Sequence, residues 1–269
     1  MVRIKNAFAK FYLALIILFL YIPILVLIVL SFNSSRSRVV WEGFTFEWYV
    51  KLFSNQQILD ALQTTLVLGL VSAAIATIIG VLAALGIQNM RKNGYSVVMS
   101  ITNIPILNAD IVTGIAMMLW FVKFLPLGFT SVLIAHITFG IPYVILSVMP
   151  KLRGMNVHIY EAARDLGAGS VYAFFKIVLP QIASGVVAGF FMALTMSMDD
   201  FVITYFTKGA GVNTLSTMIY GEIRKGIKPE MYALSTIIFA VILVILIIVN
   251  KMSANSEAEH MKDNVERVR

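Results

Sequence analysis

Six apolar stretches of about 20 residues are the feature that most constrains this chain. A helix of about 20 residues crosses the roughly 30 Å hydrocarbon core of a bilayer. Hydrophobic residues make up 59% of the 269 residues and charged residues only 13%, whereas a soluble domain averages about 25% charged residues. The sequence therefore predicts an all-α, polytopic membrane protein. The six predicted spans are residues 11–32, 61–87, 97–122, 128–149, 182–207 and 231–250.

Polar residues interrupt the third of these spans. Pro105 cannot donate a backbone hydrogen bond inside a helix, and Asn108 and Asp110 place polar side chains in the same apolar stretch. We therefore expect the third helix to be bent or to begin late. The first span follows basic residues, as a signal peptide does, but its apolar run is about twice the usual 7–15 residues. We interpret it as a retained first helix.

Lysine and arginine are unequally distributed between the two sides of this topology. If the N-terminus is cytoplasmic, 13 of the 21 lie on the inner side and 8 on the outer side. Because cytoplasmic loops are enriched in these residues, we expect cytoplasmic N- and C-termini. Three parts are predicted: residues 1–60, the first helix and an aromatic outer loop; residues 61–250, a five-helix core with a cytoplasmic loop at 150–180; and residues 251–269, a polar cytoplasmic tail.

The sequence lacks the motifs of the common enzyme classes. Cysteine is absent, which excludes thiolate metal sites and cysteine nucleophiles. The segment 221–226 resembles the start of a phosphate-binding loop, but Ile227 stands where the lysine should be. His136, His158 and His260 are scattered and are interpreted as ordinary packed or surface residues. We expect a chain that is not an enzyme, has no metal or other cofactor of its own and binds no nucleic acid.

The inner loop carries the most specific motif of the sequence. It reads E-A-A, then glycine after three residues, then I-x-L-P after nine more. Alanine favours a short helix, glycine favours its end, and proline fits the first turn of the next helix. From the residues alone, the loop could equally be a helical connection without a partner. The motif residues are Glu161, Ala162, Ala163, Gly167, Ile177, Leu179 and Pro180.

This spacing is similar to the EAA loop of the permease subunits of binding-protein-dependent ABC importers. The resemblance covers roughly residues 60–250. It implies a type I ABC importer permease fold with six transmembrane helices, in the bacterial cytoplasmic (inner) membrane. It also implies that the motif residues couple the chain to a dimer of ATPase subunits. A second related permease subunit and an extracytoplasmic binding protein are the other implied partners.

Further segments resemble the PotC-type permeases of spermidine/putrescine importers. The first is Ser197-Met-Asp199-Asp200-Phe201, which is followed by Tyr220 and by the segment 229–236. The others are the segment from Pro105 to Gly114, which contains Asp110, and the pair Trp48-Tyr49 in the first outer loop. The resemblance implies that the substrate is a polyamine.

Three acidic residues lie in predicted spans: Asp110, Asp199 and Asp200. An aspartate at mid-membrane costs about 2.5–3.5 kcal/mol on the translocon scale, so such residues face protein or water. They could pair with a cation such as Arg224 or Lys225, or they could line the route of a cationic substrate. The candidate pathway residues are Asp110, Asp199, Asp200, Ser197, Trp48 and Tyr220.

Three alternative functions remain at this stage. An ion-coupled secondary transporter could use the aspartates as a proton relay. An ABC permease could carry another solute, such as a metal cation or an organic anion, although the acidic lining disfavours an anion. An intramembrane hydrolase would need a nucleophile motif that the sequence lacks.

Overall fold

The computed structural model describes residues 2–36, 39–226, 228–240 and 243–244, which are almost entirely helical. This confirms the predicted all-α class. The helices are α1 Val2–Ser31, α2 Glu47–Ser54, α3 Gln56–Gln88, α4 Lys92–Leu107, α5 Asp110–Phe121, α6 Phe129–Gly154, α7 Val157–Asp165, α8 Ser170–Ala173, a π-helical turn Phe174–Val178, α9 Leu179–Asp199, α10 Val202–Thr207 and α11 Leu215–Lys225. Residues 229–240 are also helical.

Four helical segments are long and apolar enough to cross a membrane: Lys10–Ser31, Gln56–Gln88, Phe129–Gly154 and Ser170–Asp199. The pair α4 and α5 forms a fifth candidate if it counts as one span. The predicted sixth span, residues 231–250, lies partly outside the described residues, and its described part up to residue 240 is helical. The described part of the chain thus contains four or five of the six predicted spans.

The third span is broken, as predicted. Helices α4 and α5 meet at an angle of 103°, and Asn108 and Ala109 between them are extended, with ψ of 154° and 129°. The Asn108 side chain donates a hydrogen bond to Thr113 Oγ1 (3.1 Å). Pro105 lies inside α4 and does not end it. The break therefore falls three residues beyond the proline.

The predicted fifth span, 182–207, is wrong at its C-terminal end. The helix ends at Asp199, the backbone of Asp200 is extended (ψ 125°), and a new short helix, α10, begins at Val202. The reason is chemical. The Asp200 carboxylate accepts hydrogen bonds from the free backbone N–H groups of α10, so it starts a new helix where the apolar pattern predicts continuation.

The N-terminal end of this span also differs from prediction. The sequence predicts a span that begins at residue 182, but residues from Ser170 to Asp199 form one continuous helical segment. A π-helical turn, Phe174–Val178, precedes the proline. Proline cannot donate to the carbonyl four residues earlier and its ring crowds that carbonyl, and a wider turn relieves both problems.

The chain divides into two compact units, of which residues 57–221 form one. The described residues before and after this segment form the other. In the central unit, α3, α6 and α9 pack closely through small residues. A Cβ atom at Gly80 would lie 2.7 Å from Val144 Cβ, and one at Gly189 would lie 3.1 Å from Val144 Cα. The small-residue faces of α3 and α9 thus serve internal packing.

Candidate functional site

The break between α9 and α10 is organised by the carboxylate of Asp200. Its Oδ1 accepts a hydrogen bond from the backbone N–H of Ile203 (3.2 Å), and its Oδ2 accepts one from the backbone N–H of Thr204 (2.7 Å). Thr204 Oγ1 also donates to Oδ2 (2.7 Å). The side chain thereby satisfies backbone donors at the first turn of α10, which a helix leaves without partners.

The imidazole of His136 lies next to this carboxylate. Its Nε2 is 2.9 Å from Thr204 Oγ1 and 3.5 Å from Asp200 Oδ2, and its Nδ1 is 2.6 Å from Ser197 Oγ. Ser197 Oγ is in turn 3.0 Å from Ser72 Oγ on α3. A chain of polar side chains therefore connects α3, α6, α9 and α10 through the interior of the central unit.

The side chains of Asp200 and His136 are only 10% and 2% exposed. A carboxylate removed from water needs an opposite charge or several hydrogen bonds. Asp200 has three hydrogen bonds and one histidine neighbour, so the pairing interpretation of this residue has a structural basis, with His136 as the partner. The sequence analysis had interpreted His136 as an ordinary packed residue and did not connect the two.

The other two aspartates differ from Asp200. Asp199 is exposed, and its carboxylate makes no hydrogen bond or ion pair with the described residues of its unit. Asp110 is also exposed, in the first turn of α5, where the helix dipole favours a negative charge. Helices α5 and α10 are packed together: a Cβ at Gly114 would lie 3.1 Å from the Phe206 ring. One exposed acid, Asp199, therefore ends α9, and the other, Asp110, begins the helix that packs against α10.

Aromatic side chains surround the same position. The ring centroids of Phe201 and Tyr220 are 4.4 Å apart, those of Phe201 and Tyr205 are 5.4 Å apart, and those of Tyr205 and Tyr220 are 6.2 Å apart. Tyr205 and Tyr220 are 46% and 40% exposed. Ser216 donates a hydrogen bond to the Met198 carbonyl (3.4 Å), which connects α11 with the end of α9. Three clustered rings that are inclined to one another can bind an organic cation by cation–π attraction.

Trp48 has a different environment. It is buried within the unit that contains α1 and α2, and its indole N–H donates to the Asn33 carbonyl (2.6 Å). Asn33 is itself buried, and its side chain bonds Val40 O (2.8 Å) and Glu42 N (3.1 Å). Asn33 thus organises the outer loop, a role that the sequence analysis missed because a single asparagine after a long apolar helix carries no distinctive pattern.

The E-A-A residues lie on α7, a short helix with a well-defined start and end. The Asn156 side chain accepts a hydrogen bond from His158 N (3.1 Å) at its start. At its end Gly167 has φ +86°, its N–H donates to Arg164 O, and the N–H of Ala168 donates to Ala163 O. This is a Schellman motif, which requires a left-handed residue after the helix. The prediction that Gly167 ends this helix is confirmed.

The surface of this region combines charged side chains with exposed apolar ones. Leu166 is 90% exposed, and Glu161 and Ala162 are exposed on α7. Ile177 and Leu179 are half-buried, and Pro180 is exposed. The segment that follows adds three large exposed side chains: Val171, Tyr172 and Phe175. Large exposed apolar areas of this kind are typical of protein or lipid contact.

His136 and Ser72 are the residues of this site that the sequence analysis missed. A signal for His136 does exist, since it is the one residue of the predicted span 128–149 that can carry a positive charge. Its partner Asp200 is 64 positions away, and no pattern in one sequence connects them. Ser72 is a small polar residue of a type that occurs in many membrane helices.

The sequence pattern of a known family matches two thirds of the chain. The family is described as "Binding-protein-dependent transport system inner membrane component", and the match covers residues 76–256. The spermidine/putrescine transport system permease protein PotC of Escherichia coli (strain K12) is 40% identical over 230 residues, 85% of this chain and 87% of that protein. PotC of Haemophilus influenzae is 34% identical over 246 residues, 91% and 94% of the two chains. The putrescine transport system permease protein PotI of Escherichia coli (strain K12) is 32% identical over 262 residues, which cover 93% of this chain and 92% of that protein.

Solved structures share the fold. A bacterial ABC transporter involved in the import of the acidic polysaccharide alginate contains a chain that matches with a TM-score of 0.68 and 20% identity, over 94% of this chain and 96% of that one. A chain of a bacterial alginate ABC transporter in complex with an alginate pentasaccharide-bound periplasmic protein matches with a TM-score of 0.69 and 20% identity. This match covers 93% of this chain and 94% of that one. Because the identities are low, this likeness concerns the fold alone. The predicted ABC importer permease fold is confirmed.

Proposed function

The chain belongs to the family of binding-protein-dependent transport system inner membrane components, and from this premise we propose that it is the permease subunit of an ATP-driven polyamine importer. As a member of that family it is a transport component rather than an enzyme. The observation that carries the choice of substrate is an exposed carboxylate, Asp199, two residues before the cluster formed by the Phe201, Tyr205 and Tyr220 rings. Relatives of 32–40% identity named for spermidine or putrescine support it.

The proposed pathway uses chemistry that suits a flexible polycation. Exposed carboxylates of Asp199 and Asp110 attract ammonium groups, and aromatic rings contact both the cation and the methylene segments. Neither interaction fixes one rigid pose, so the substrate can be bound and then released. Ser197 and Asp200 support the break from the interior, while Tyr220 contributes to the aromatic surface. Trp48 supports the pathway by holding the outer loop in its fold.

The proposed source of energy is a partner protein. We place the docking surface for an ATPase dimer on α7 and on the segment that follows, where Glu161 offers a charge and Ala162 and Ala163 permit close approach. Gly167, Ile177, Leu179 and Pro180 set the geometry of this connection. A second related permease completes the pathway. An extracytoplasmic polyamine-binding protein delivers substrate, and the N- and C-termini are cytoplasmic.

The test is uptake of labelled spermidine by the complete transporter with Asp199 as wild type, Asn or Glu. Asp199→Asn is expected to raise KM about fivefold, the ratio that roughly 1 kcal/mol of lost charge attraction gives. Asp199→Glu should restore most of the affinity because it restores the charge. Glu42→Gln, at another exposed carboxylate, is the matched control and should leave KM unchanged.

Three results would contradict the proposal. Unchanged KM in Asp199→Asn would remove the carboxylate from the pathway. Uptake by this chain without any ATPase, driven by an ion gradient, would favour the secondary transporter. Absence of spermidine and putrescine uptake by an intact, ATP-hydrolysing complex would indicate an importer for another solute.

A further inference from the structure

The carboxylate of Asp200 has little capacity left for a substrate. Its two oxygens already accept three hydrogen bonds, from Ile203 N, Thr204 N and Thr204 Oγ1, and His136 Nε2 lies 3.5 Å from Oδ2. A carboxylate has about four acceptor positions. Asp199 next to it is exposed. The two adjacent acids therefore have different environments and are suited to different tasks.

The ring of His136 spans the break between the two helices. Nδ1 contacts Ser197 on α9, before the break, and Nε2 contacts Thr204 on α10, after it (2.6 and 2.9 Å). The peptide bonds between these helices lack the regular α-helical hydrogen bonds, since Asp200 is extended. A rigid side chain with one polar atom on each side can fix the relative position of α9 and α10 where the backbone does not.

We propose that His136 is a positioning residue for transport: it fixes the break between α9 and α10, together with Asp200, so that Asp199 and the aromatic rings stay exposed to the substrate. Asp200 then affects transport only by holding α10 in position, and it does not contact the polyamine. This inference rests on the proposed function for its substrate, but its structural part concerns only the position of α10 and can be tested without transport.

Two substitutions separate the two ends of the imidazole. A glutamine side chain places its amide near the position of Nε2 and can keep the contact with Thr204. An asparagine side chain reaches only the position of Nδ1 and can keep the contact with Ser197. His136→Ala removes both. Helix α9 is also held against α6 by close packing at Gly189 and Val144, so the position of α10 depends mainly on the contact with Thr204. His136→Gln should therefore resemble the wild type, whereas His136→Asn should resemble His136→Ala.

The structural test measures how well the buried face of α10 is protected from a water-soluble thiol reagent. Because the chain contains no cysteine, Ile203→Cys introduces a single thiol at a position that is 1% exposed. In the assembled transporter, His136→Ala and His136→Asn should speed its reaction with a small water-soluble maleimide about tenfold, as expected for a lost buried hydrogen bond. His136→Gln should stay within about twofold of the wild-type rate. Val148→Cys, buried on α6 away from the break, must stay protected in every variant.

The transport test separates positioning from substrate contact. Spermidine carries one ammonium group more than putrescine, so loss of a substrate-contacting carboxylate should raise KM more for spermidine. We expect this pattern for Asp199→Asn. Asparagine can still cap a helix, but it has one acceptor oxygen where Asp200 uses two, so the break is held less firmly. Asp200→Asn should therefore lower the maximal rates for both substrates by the same factor and leave both KM values within about twofold.

Either of two outcomes would overturn the proposal. One is an unchanged labelling rate of Ile203→Cys in His136→Ala. The other is a selective rise in the KM for spermidine in Asp200→Asn, which would place that carboxylate in contact with the substrate. If the wild-type transporter carries no polyamine, the proposed function fails, and the labelling rates still decide the role of His136 in holding α10.

Discussion

Gly80 sets how closely α3 approaches α6. A Cβ at this position would lie 2.7 Å from both Cβ and Cγ1 of Val144, a distance at which one helix must move. In a membrane, where helices gain little hydrophobic energy from association, such close packing supplies much of the attraction between them. One added methyl group therefore disturbs the centre of the bundle.

We expect Gly80→Ala to destabilise the purified complex by about 1–3 kcal/mol, the usual cost of overpacking a core. Gly86→Ala, two turns further along the same helix, is the matched control, because nothing lies within 4 Å of a Cβ there. Alanine favours helix by up to about 1 kcal/mol over glycine, so the control should be neutral or stabilising. The measurement is the Tm in detergent, and equal Tm values for the two variants would contradict the prediction.

At the scale of elements, α7 shows how a short helix of nine residues is held in place. Isolated helices of this length are marginal in water, and α7 lies largely exposed. Its stability therefore depends on its ends, namely the Asn156 cap and the left-handed Gly167. A helix that transmits movement to a partner needs such ends, because a frayed helix would absorb the movement.

Gly167→Ala places a Cβ on a residue with φ +86°, which costs about 1–2 kcal/mol. We expect faster hydrogen exchange of the amides in 157–165 and a lower rate of ATP-driven uptake. Gly169→Ala is the control, since Gly169 has φ −64° and open space around its Cβ position. Equal protection of α7 in the two variants would show that the Schellman motif does not stabilise it.

The elements also show what one sequence can predict. The bend of the third span and the end of α7 were predictable because Asn108 and Gly167 act through local backbone chemistry. The break at Asp200 was not, because the apolar pattern continues through it and its cause is a carboxylate that turns to cap α10. The contact of this carboxylate with His136 depends on tertiary packing, which periodicity does not report.

At the scale of the whole molecule, the distribution of Lys and Arg favours one orientation in the membrane. The proposed orientation places 13 of the 21 Lys and Arg residues inside and 8 outside. Because the sequence contains no cysteine, labelling of single introduced thiols tests this orientation directly.

We expect Ala210→Cys, in the loop after α10, to react with a membrane-impermeant maleimide in intact cells. Asn93→Cys, in the first turn of α4, should react only after the membrane is permeabilised. Both positions are exposed, so a difference in labelling reports the side of the membrane and not burial. Permeabilised cells provide the control, because both thiols must react there. The reverse pattern would invert the topology, and the EAA helix would then face away from any cytoplasmic ATPase, which would contradict the proposed coupling as well.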